Sequence, residues 1–224
     1  GTFLTSFVLI PEFGSLKTLT GLILMLLSLY LVGASGGRKM ATGIGLIVIT
    51  LLLPGKRTPL EVVYETESAY NLIQVKKEKG RLGLYLNDGR LVHSRYREGY
   101  VSTGSYYDFM LLGTLLTDSR DILILGAGAG TSVRQFLYFA PQGLIDAVEI
   151  DPKVIEVGRR FFGLSRNSNL KVFIEDARPY LSQADKIYDL IEVDTFTGGP
   201  FIPFYLSTRE FFGLVRQRLN PGGW

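Results

Sequence analysis

The chain has 224 residues, of which 46% are hydrophobic, and its formal net charge is +3. That length allows one α/β domain with a smaller unit beside it, and the scattered Lys and Arg residues do not favour nucleic-acid binding. The chain has no Cys and only one His, His93, so thiolate sites are excluded and no metal is expected.

Two long uncharged runs dominate the N-terminal part of the sequence. Residues 18–37 and 40–55 contain no charged side chain, and Arg38 and Lys39 separate them. The first run is about as long as a helix that crosses ~30 Å of hydrocarbon. We therefore predict a transmembrane helical segment over 1–55, with spans near 18–37 and 40–55. A buried helical hairpin is the alternative.

The basic residues around these runs predict an orientation. Lys17, Lys56 and Arg57 lie on the side opposite the hairpin turn, which slightly favours that side as cytoplasmic. This predicts a multi-pass protein of the cell membrane, in contact with membrane lipid, whose nucleotide-binding domain lies in the cytoplasm.

Residues 56–60 read as a linker, and residues 61–102 as a small β-hairpin unit. Strands are predicted over Tyr70–Val75, Arg81–Leu86 and Arg90–Arg95, and the Asp-Gly pair at 88–89 is a strong hairpin signal. One helix is predicted next, over Tyr106–Leu116.

Residues 121–151 predict a nucleotide-binding βαβ unit. An apolar run over 121–125 is followed by a helical pattern and a second apolar run that contains Glu149. Between the first run and the helix lie three glycines, Gly126, Gly128 and Gly130. Such a turn lets the backbone approach a ligand, and Glu149 lies where an acid usually binds ribose hydroxyls. The G-x-G-x-G spacing fits an adenosyl-sulfonium site better than a nicotinamide site, whose pattern is G-x-G-x-x-G.

Two further strands carry acids at their ends. Strands are predicted over Leu170–Ile174 and Tyr188–Val193, and they lead to Asp176 and Asp194. The alternation of strands and helices implies a parallel sheet with helices on both faces, an α/β Rossmann-like fold over 103–224. Ligands of such sheets lie outside the carboxyl ends of the strands, where these acids fall.

Two helix starts can also be predicted. Asp151 before Pro152 reads as a cap, and Ser207 with Glu210 reads as a capping box for the last helix. The chain begins at Gly1 rather than Met and ends shortly after an Asn-Pro-Gly-Gly turn, so an internal fragment of a longer protein is expected.

The order of these motifs resembles the spermidine synthase (polyamine aminopropyltransferase) family. The matching segments are LILGAGAGT, AVEIDP, IEDARPYL and YDLIEVDTFTGG, with ESAYNLIQV, LYLNDGRLV and REGY upstream. The hydrophobic N-terminal runs resemble the membrane-fused branch of that family.

The resemblance implies a donor and an acceptor. The donor would be decarboxylated S-adenosylmethionine, or S-adenosylmethionine itself, and the acceptor a small-molecule amine. Asp194 would be the catalytic residue in contact with the amine. The donor-binding residues would be Asn71, Gly126, Gly128, Gly130, Glu149 and Asp176. The resemblance is also compatible with a homodimer.

Three departures from the family pattern keep other functions open. Ala129 and Thr197 stand where the family usually has acids, and Val101-Ser102 replaces its His-Glu pair. The alternatives are an S-adenosylmethionine-dependent methyltransferase and a non-catalytic nucleotide-binding regulatory domain on a transport-like membrane protein.

Overall fold

The structure, a computed structural model, describes residues 4–33, 62–87, 91–199 and 201–224. It divides into two compact units. One contains the N-terminal helices and residues 66–69, and the other contains residues 62–65 and the described residues from Tyr70 onward. The predicted span 40–55, the linker 56–60 and the predicted Asp-Gly turn at 88–89 lie outside the described residues.

The N-terminal unit is helical. A π-helical turn over Thr5–Leu9 leads into α1 (Ile10–Phe13) and α2 (Ser15–Gly33). No helix in the described part of the chain is long and apolar enough to cross a membrane. The predicted multi-pass location in the cell membrane, with a cytoplasmic nucleotide-binding domain, is therefore contradicted.

A four-stranded sheet precedes the α/β part. Its strands are β1 (Val62–Glu67), β2 (Leu72–Glu78), β3 (Arg81–Leu86) and β4 (Val92–Tyr96), in the order β1-β2-β3-β4. The β2–β3 and β3–β4 pairs are antiparallel. Alternate apolar residues of β2 and β3, among them Val75 and Leu84, are fully buried in a cluster that also holds Val154 of the α/β part. This packing sets the sheet beside the nucleotide fold.

The α/β part alternates strands and helices. Its strands are β5 (Asp121–Leu125), β6 (Leu144–Glu149), β7 (Leu170–Ile174) and β8 (Leu190–Val193). Its helices are α3 (Tyr107–Met110), α4 (Gly113–Leu116), α5 (Thr131–Phe139), α6 (Pro152–Phe161), α7 (Ala177–Gln183) and α8 (Arg209–Gln217). The strands are parallel and lie in the order β7-β6-β5-β8.

Both faces of this sheet are buried. Leu123 and Leu125 of β5 lie in a cluster with Phe211 of α8, while Ile122 and Ile124 lie in another with residues of α5. Successive residues of a strand point to opposite faces, which is why an uninterrupted apolar strand suits a sheet covered on both sides. The prediction of an α/β Rossmann-like fold is confirmed.

The single helix predicted over Tyr106–Leu116 is wrong, because the chain forms the two short helices α3 and α4. The second begins at Gly113, where an added Cβ would lie 2.5 Å from Leu190 Cδ1 of β8.

One of the two predicted helix caps is confirmed. The Asp151 carboxylate accepts a hydrogen bond of 2.9 Å from Lys153 N at the start of α6. The cap of α8 is Thr208, whose hydroxyl accepts from Phe211 N, so the prediction of Ser207 is wrong. Ser207 instead donates its hydroxyl to Phe204 O and closes the preceding 3₁₀ turn.

This cap assignment predicts different costs for two neighbouring substitutions. Thr208→Ala removes the acceptor for an otherwise unpaired N–H and should lower the free energy of unfolding by about 1 kcal/mol. Ser207→Ala is the matched control and should cost clearly less, because its hydrogen bond is exposed. Chemical denaturation of both variants measures the difference, and equal costs would contradict the assignment.

Candidate active site

A cavity of about 370 Å³ opens at the carboxyl ends of the four parallel strands. Its walls include six of the seven residues that the sequence analysis placed in the site: Asn71, Gly126, Gly128, Glu149, Asp176 and Asp194. The fold therefore brings together residues that are up to 123 positions apart. Gly130, the seventh, does not line the cavity, and its role in donor binding stays a prediction.

The glycine turn after β5 is built by close backbone contacts. Gly126 N and Ala127 N both donate to Val148 O, at 2.9 and 3.0 Å. Gly126 has φ +86°, and an added Cβ would lie 2.1 Å from Asp194 O. The turn thus lies directly against the chain that leaves β8, where the strand order reverses. This switch point is where open α/β sheets bind ligands.

Two other positions of the turn face β4 or the core. At Gly128 an added Cβ would lie 2.9 Å from Ser94 Oγ, and at Gly130 it would lie 2.7 Å from Leu164 Cδ1. Ala129 is fully buried and donates its N–H to Ser94 Oγ at 2.9 Å. Ala129, which stands where the family usually has an acid, therefore has a packing role here.

Glu149 is held at the end of β6 by backbone donors. Its carboxylate accepts from Gly128 N at 2.9 Å and from Asp151 N at 3.0 Å. Burial raises the pKa of Glu149 to about 7, although these hydrogen bonds oppose the rise. A carboxylate has about four lone-pair positions, so these donors leave room for a ligand hydroxyl.

Asp176 lies at the end of β7 and has two partners. One oxygen caps α7 by accepting from Arg178 N at 2.8 Å, and the other accepts from Tyr205 Oη at 2.6 Å. Burial, and then Asp176, raise the pKa of Tyr205 to about 12. Tyr205 also lines the cavity. No sequence motif marks Tyr205, which lies in the short 3₁₀ helix Phe204–Leu206 before α8.

Asp194 lies at the end of β8 and accepts from Tyr106 Oη at 3.1 Å. Burial raises the pKa of Asp194, and this hydrogen bond opposes the rise. Burial and the nearby Asp194 also raise the pKa of Tyr106, so the phenol stays a neutral donor. Tyr106 is 88 positions away in sequence, which is why no spacing argument could pair it with Asp194.

Asn71 is fixed on the cap of α6. It donates Nδ2 to Asp151 Oδ2 at 2.9 Å and accepts from Asn87 Nδ2 at 3.0 Å. Asn87 Oδ1 in turn accepts from Leu72 N at 3.1 Å. These bonds tie the start of β2 and the end of β3 to the floor of the cavity.

The residues that differ from the family pattern make other contacts in the structure. Thr197 donates its hydroxyl to Phe201 O at 3.1 Å and closes a local turn. Val101 and Ser102 line a separate pocket. Among the described residues that line the cavity, the carboxylates are Glu149, Glu175, Asp176 and Asp194.

A buried carboxyl group lies behind Asp194. Glu192 is two positions earlier on β8, hence on the same face of the sheet, and is 8% exposed. Its Oε1 accepts from Ser132 Oγ at 2.7 Å, whereas its Oε2 has no partner among the described residues. Burial raises the pKa of Glu192 to about 8. In the sequence, a glutamate within an otherwise apolar strand is the feature that could have indicated this buried carboxyl group.

Comparison with known proteins identifies the family. Residues 109–224, more than half of the chain, match the model of the spermine/spermidine synthase domain. The chain belongs to the spermidine synthase family.

Individual members of the family are similar over most of this chain. A probable polyamine aminopropyl transferase of Bifidobacterium longum is 38% identical over 163 residues, 72% of this chain and 36% of that protein. The crystal structure of a probable spermidine synthase from Corynebacterium glutamicum shares the fold, with a TM-score of 0.62 and 24% identity over 74% of this chain and 62% of that one. A spermidine synthase in complex with the transition-state analogue AdoDATO gives a TM-score of 0.59 and 19% identity over 71% of this chain and 55% of that one. The chain thus spans between about a third and three fifths of the length of these relatives.

The glycine turn predicts a position-specific effect. Gly126→Ala should abolish binding of the adenosyl donor in the cavity and destabilise the fold, because the added Cβ would clash with the Asp194 carbonyl oxygen. Gly80→Ala is the matched control, since Gly80 has φ +77° with nothing within 4 Å of an added Cβ. It should cost only the ~1–2 kcal/mol of a left-handed non-glycine residue. Thermal denaturation compares the two, and equal losses would contradict the close approach.

The buried Glu192 predicts a pH dependence of stability. Between its ordinary pKa of 4.5 and about 8, the folded chain keeps a proton that the unfolded chain has lost. The free energy of unfolding should therefore fall as pH rises through this window, by up to about 1.4 kcal/mol per pH unit.

Glu149 contributes in the same direction only up to about pH 7, so the interval from pH 7 to 8 isolates Glu192. There Glu192→Gln should flatten the decline, while the exposed control Glu156→Gln should keep it. An unchanged slope in Glu192→Gln would contradict the assignment.

Proposed function

We propose that this chain transfers an aminopropyl group from decarboxylated S-adenosylmethionine to a small amine. The observation that carries the proposal is the convergence of three strand-end carboxylates, Glu149, Asp176 and Asp194, with the Gly126 turn around one cavity. Family membership supports this reaction class, as does the solved spermidine synthase of the same fold that holds a transition-state analogue.

The donor would occupy the β5–β7 side of the cavity. Glu149 would accept hydrogen bonds from the ribose hydroxyls, for which its two backbone donors already orient it. Asp176 would accept from the exocyclic amine of adenine. Gly126 and Gly128 would let the backbone approach the donor closely, and Asn71 would lie near its sulfonium tail.

The acceptor would meet Asp194. The nitrogen lone pair of a neutral amine forms the new C–N bond while the C–S bond of the donor breaks, which leaves 5′-methylthioadenosine. The attacking nitrogen must lose a proton, and Asp194 is the group proposed to take it. Burial moves the pKa of Asp194 toward that of a useful base, and the hydrogen bond from Tyr106 fixes its orientation.

Methyl transfer from S-adenosylmethionine is the second candidate. Thr197, which stands where the family usually has its base, has its hydroxyl engaged with Phe201 O. The acceptor side therefore offers less negative charge than a diamine would favour. The reaction products separate the two functions, since methyl transfer leaves S-adenosylhomocysteine. A homodimer stays a prediction in either case.

Two substitutions test the assigned roles. Asp194→Asn should lower turnover by ~100-fold or more, as expected for loss of a general base, and change donor affinity little. At pH 8, where Glu149 is mostly ionised, Glu149→Gln should weaken donor binding about tenfold, because a charge-assisted bond to ribose becomes a neutral one. Product analysis by mass spectrometry and donor titration measure these effects.

Asp185→Asn, an exposed aspartate outside the cavity, is the control and should behave as the unaltered chain. Normal turnover in Asp194→Asn would remove Asp194 from the mechanism. Formation of S-adenosylhomocysteine in place of 5′-methylthioadenosine would replace the proposed reaction with methyl transfer.

A further inference from the structure

A second pocket lies away from the cavity described above. Its volume is about 260 Å³, and it shares no lining residue with that cavity. Four of its ten lining residues are arginines: Arg81, Arg95, Arg97 and Arg134. They come from β3, β4, the turn after β4, and α5, so the fold concentrates positive charge that is spread along the sequence.

Two of these guanidinium groups are held against aromatic rings. Arg97 lies 3.9 Å from the centroid of the Tyr100 ring, and Arg134 lies 4.6 Å from that of Tyr96. Arg134 also donates Nη2 to Tyr100 O at 3.0 Å. A guanidinium carries five N–H donors, so contact with a ring leaves others for an acceptor. The arginines are thus partly ordered before any ligand arrives.

The opposite wall, residues 101–104, is also fixed in advance. Asp108 accepts from Ser102 Oγ at 2.7 Å, from Thr103 N at 2.9 Å and from Gly104 N at 2.8 Å. Burial alone would raise the pKa of Asp108, but these hydrogen bonds hold it below its usual range. The charge of Asp108 is therefore already used to hold this loop.

The described walls of this pocket contain no negatively charged side chain that offsets the arginines. No Asp or Glu is among the described residues that line it. Within the described part of the chain, none of the four arginines forms an ion pair with a carboxylate. A cleft lined by charges of one sign attracts ligands of the opposite sign and repels the cationic amines of the proposed reaction.

We propose that this arginine pocket binds a phosphate group, either as a free inorganic anion or as part of a small organic phosphate. Arginine suits this ligand because its planar fork of N–H donors matches the phosphate oxygens in bidentate pairs. The site is independent of the adenosyl cavity, and the proposal stands whether or not the chain transfers aminopropyl groups.

Titration calorimetry on the whole chain at constant ionic strength tests this site. The probes are pyrophosphate for the free anion, ribose 5-phosphate for the organic phosphate, and ribose as the uncharged control. Arg97→Gln and Arg81→Gln, both exposed positions, should each weaken binding about tenfold through the loss of a charge-assisted bond. Arg216→Gln on α8 removes the same charge outside the pocket and should leave binding unchanged.

Each result bears on the proposal. Binding of pyrophosphate or ribose 5-phosphate that is lost in the pocket variants alone supports it, and the tighter probe identifies the source of the phosphate. Binding of neither probe overturns it. Equal weakening in Arg216→Gln also overturns it, because the effect would then be general charge attraction. Melting temperatures of the variants confirm that the fold is retained.

Discussion

The candidate site depends on one close backbone approach, that of the turn after β5 to the chain leaving β8. Gly126 permits it, because an added Cβ there would lie 2.1 Å from the Asp194 carbonyl oxygen. The strand order β7-β6-β5-β8 makes these two strands neighbours although 64 residues separate them in the chain. This approach brings the chain at Asp194 beside the glycine turn, and both line the cavity together with Glu149.

Each acid of the site has a defined partner that decides what it can still do. Glu149 is oriented by two backbone N–H groups, Asp176 accepts a hydrogen bond from Tyr205, and Asp194 accepts one from Tyr106. Burial raises the pKa of Glu149 and of Asp194. Burial therefore disfavours the charged form of both acids, and it also raises the pKa of a third acid, Glu192, to about 8.

The sequence predicted what depends on local patterns and missed what depends on long-range contacts. Hydrophobic periodicity predicts the strands, and the glycine turn and the strand-end acids are visible as local motifs. The Rossmann-like fold and the lining of the cavity could therefore be predicted. The tyrosines that donate to Asp176 and Asp194 carried no such signal, because only the tertiary fold brings Tyr205 and Tyr106 to these acids. The arginines around the second pocket looked scattered because only the pairing of β3 with β4 and the placement of α5 bring them together. The membrane prediction relied on hydrophobic run length alone, and among the described residues no helix meets the requirements for a membrane span.

The most direct test of the central claim is a calorimetric comparison of two donors, S-adenosylmethionine and its decarboxylated form, titrated into the chain. The two ligands share the adenosyl group and differ by one carboxylate, which would lie near Asp194 and its neighbouring acids. The account predicts that both bind in the cavity and that the decarboxylated donor binds more tightly, because it adds no negative charge beside these acids. Tighter binding of intact S-adenosylmethionine, or binding of neither ligand, would contradict it.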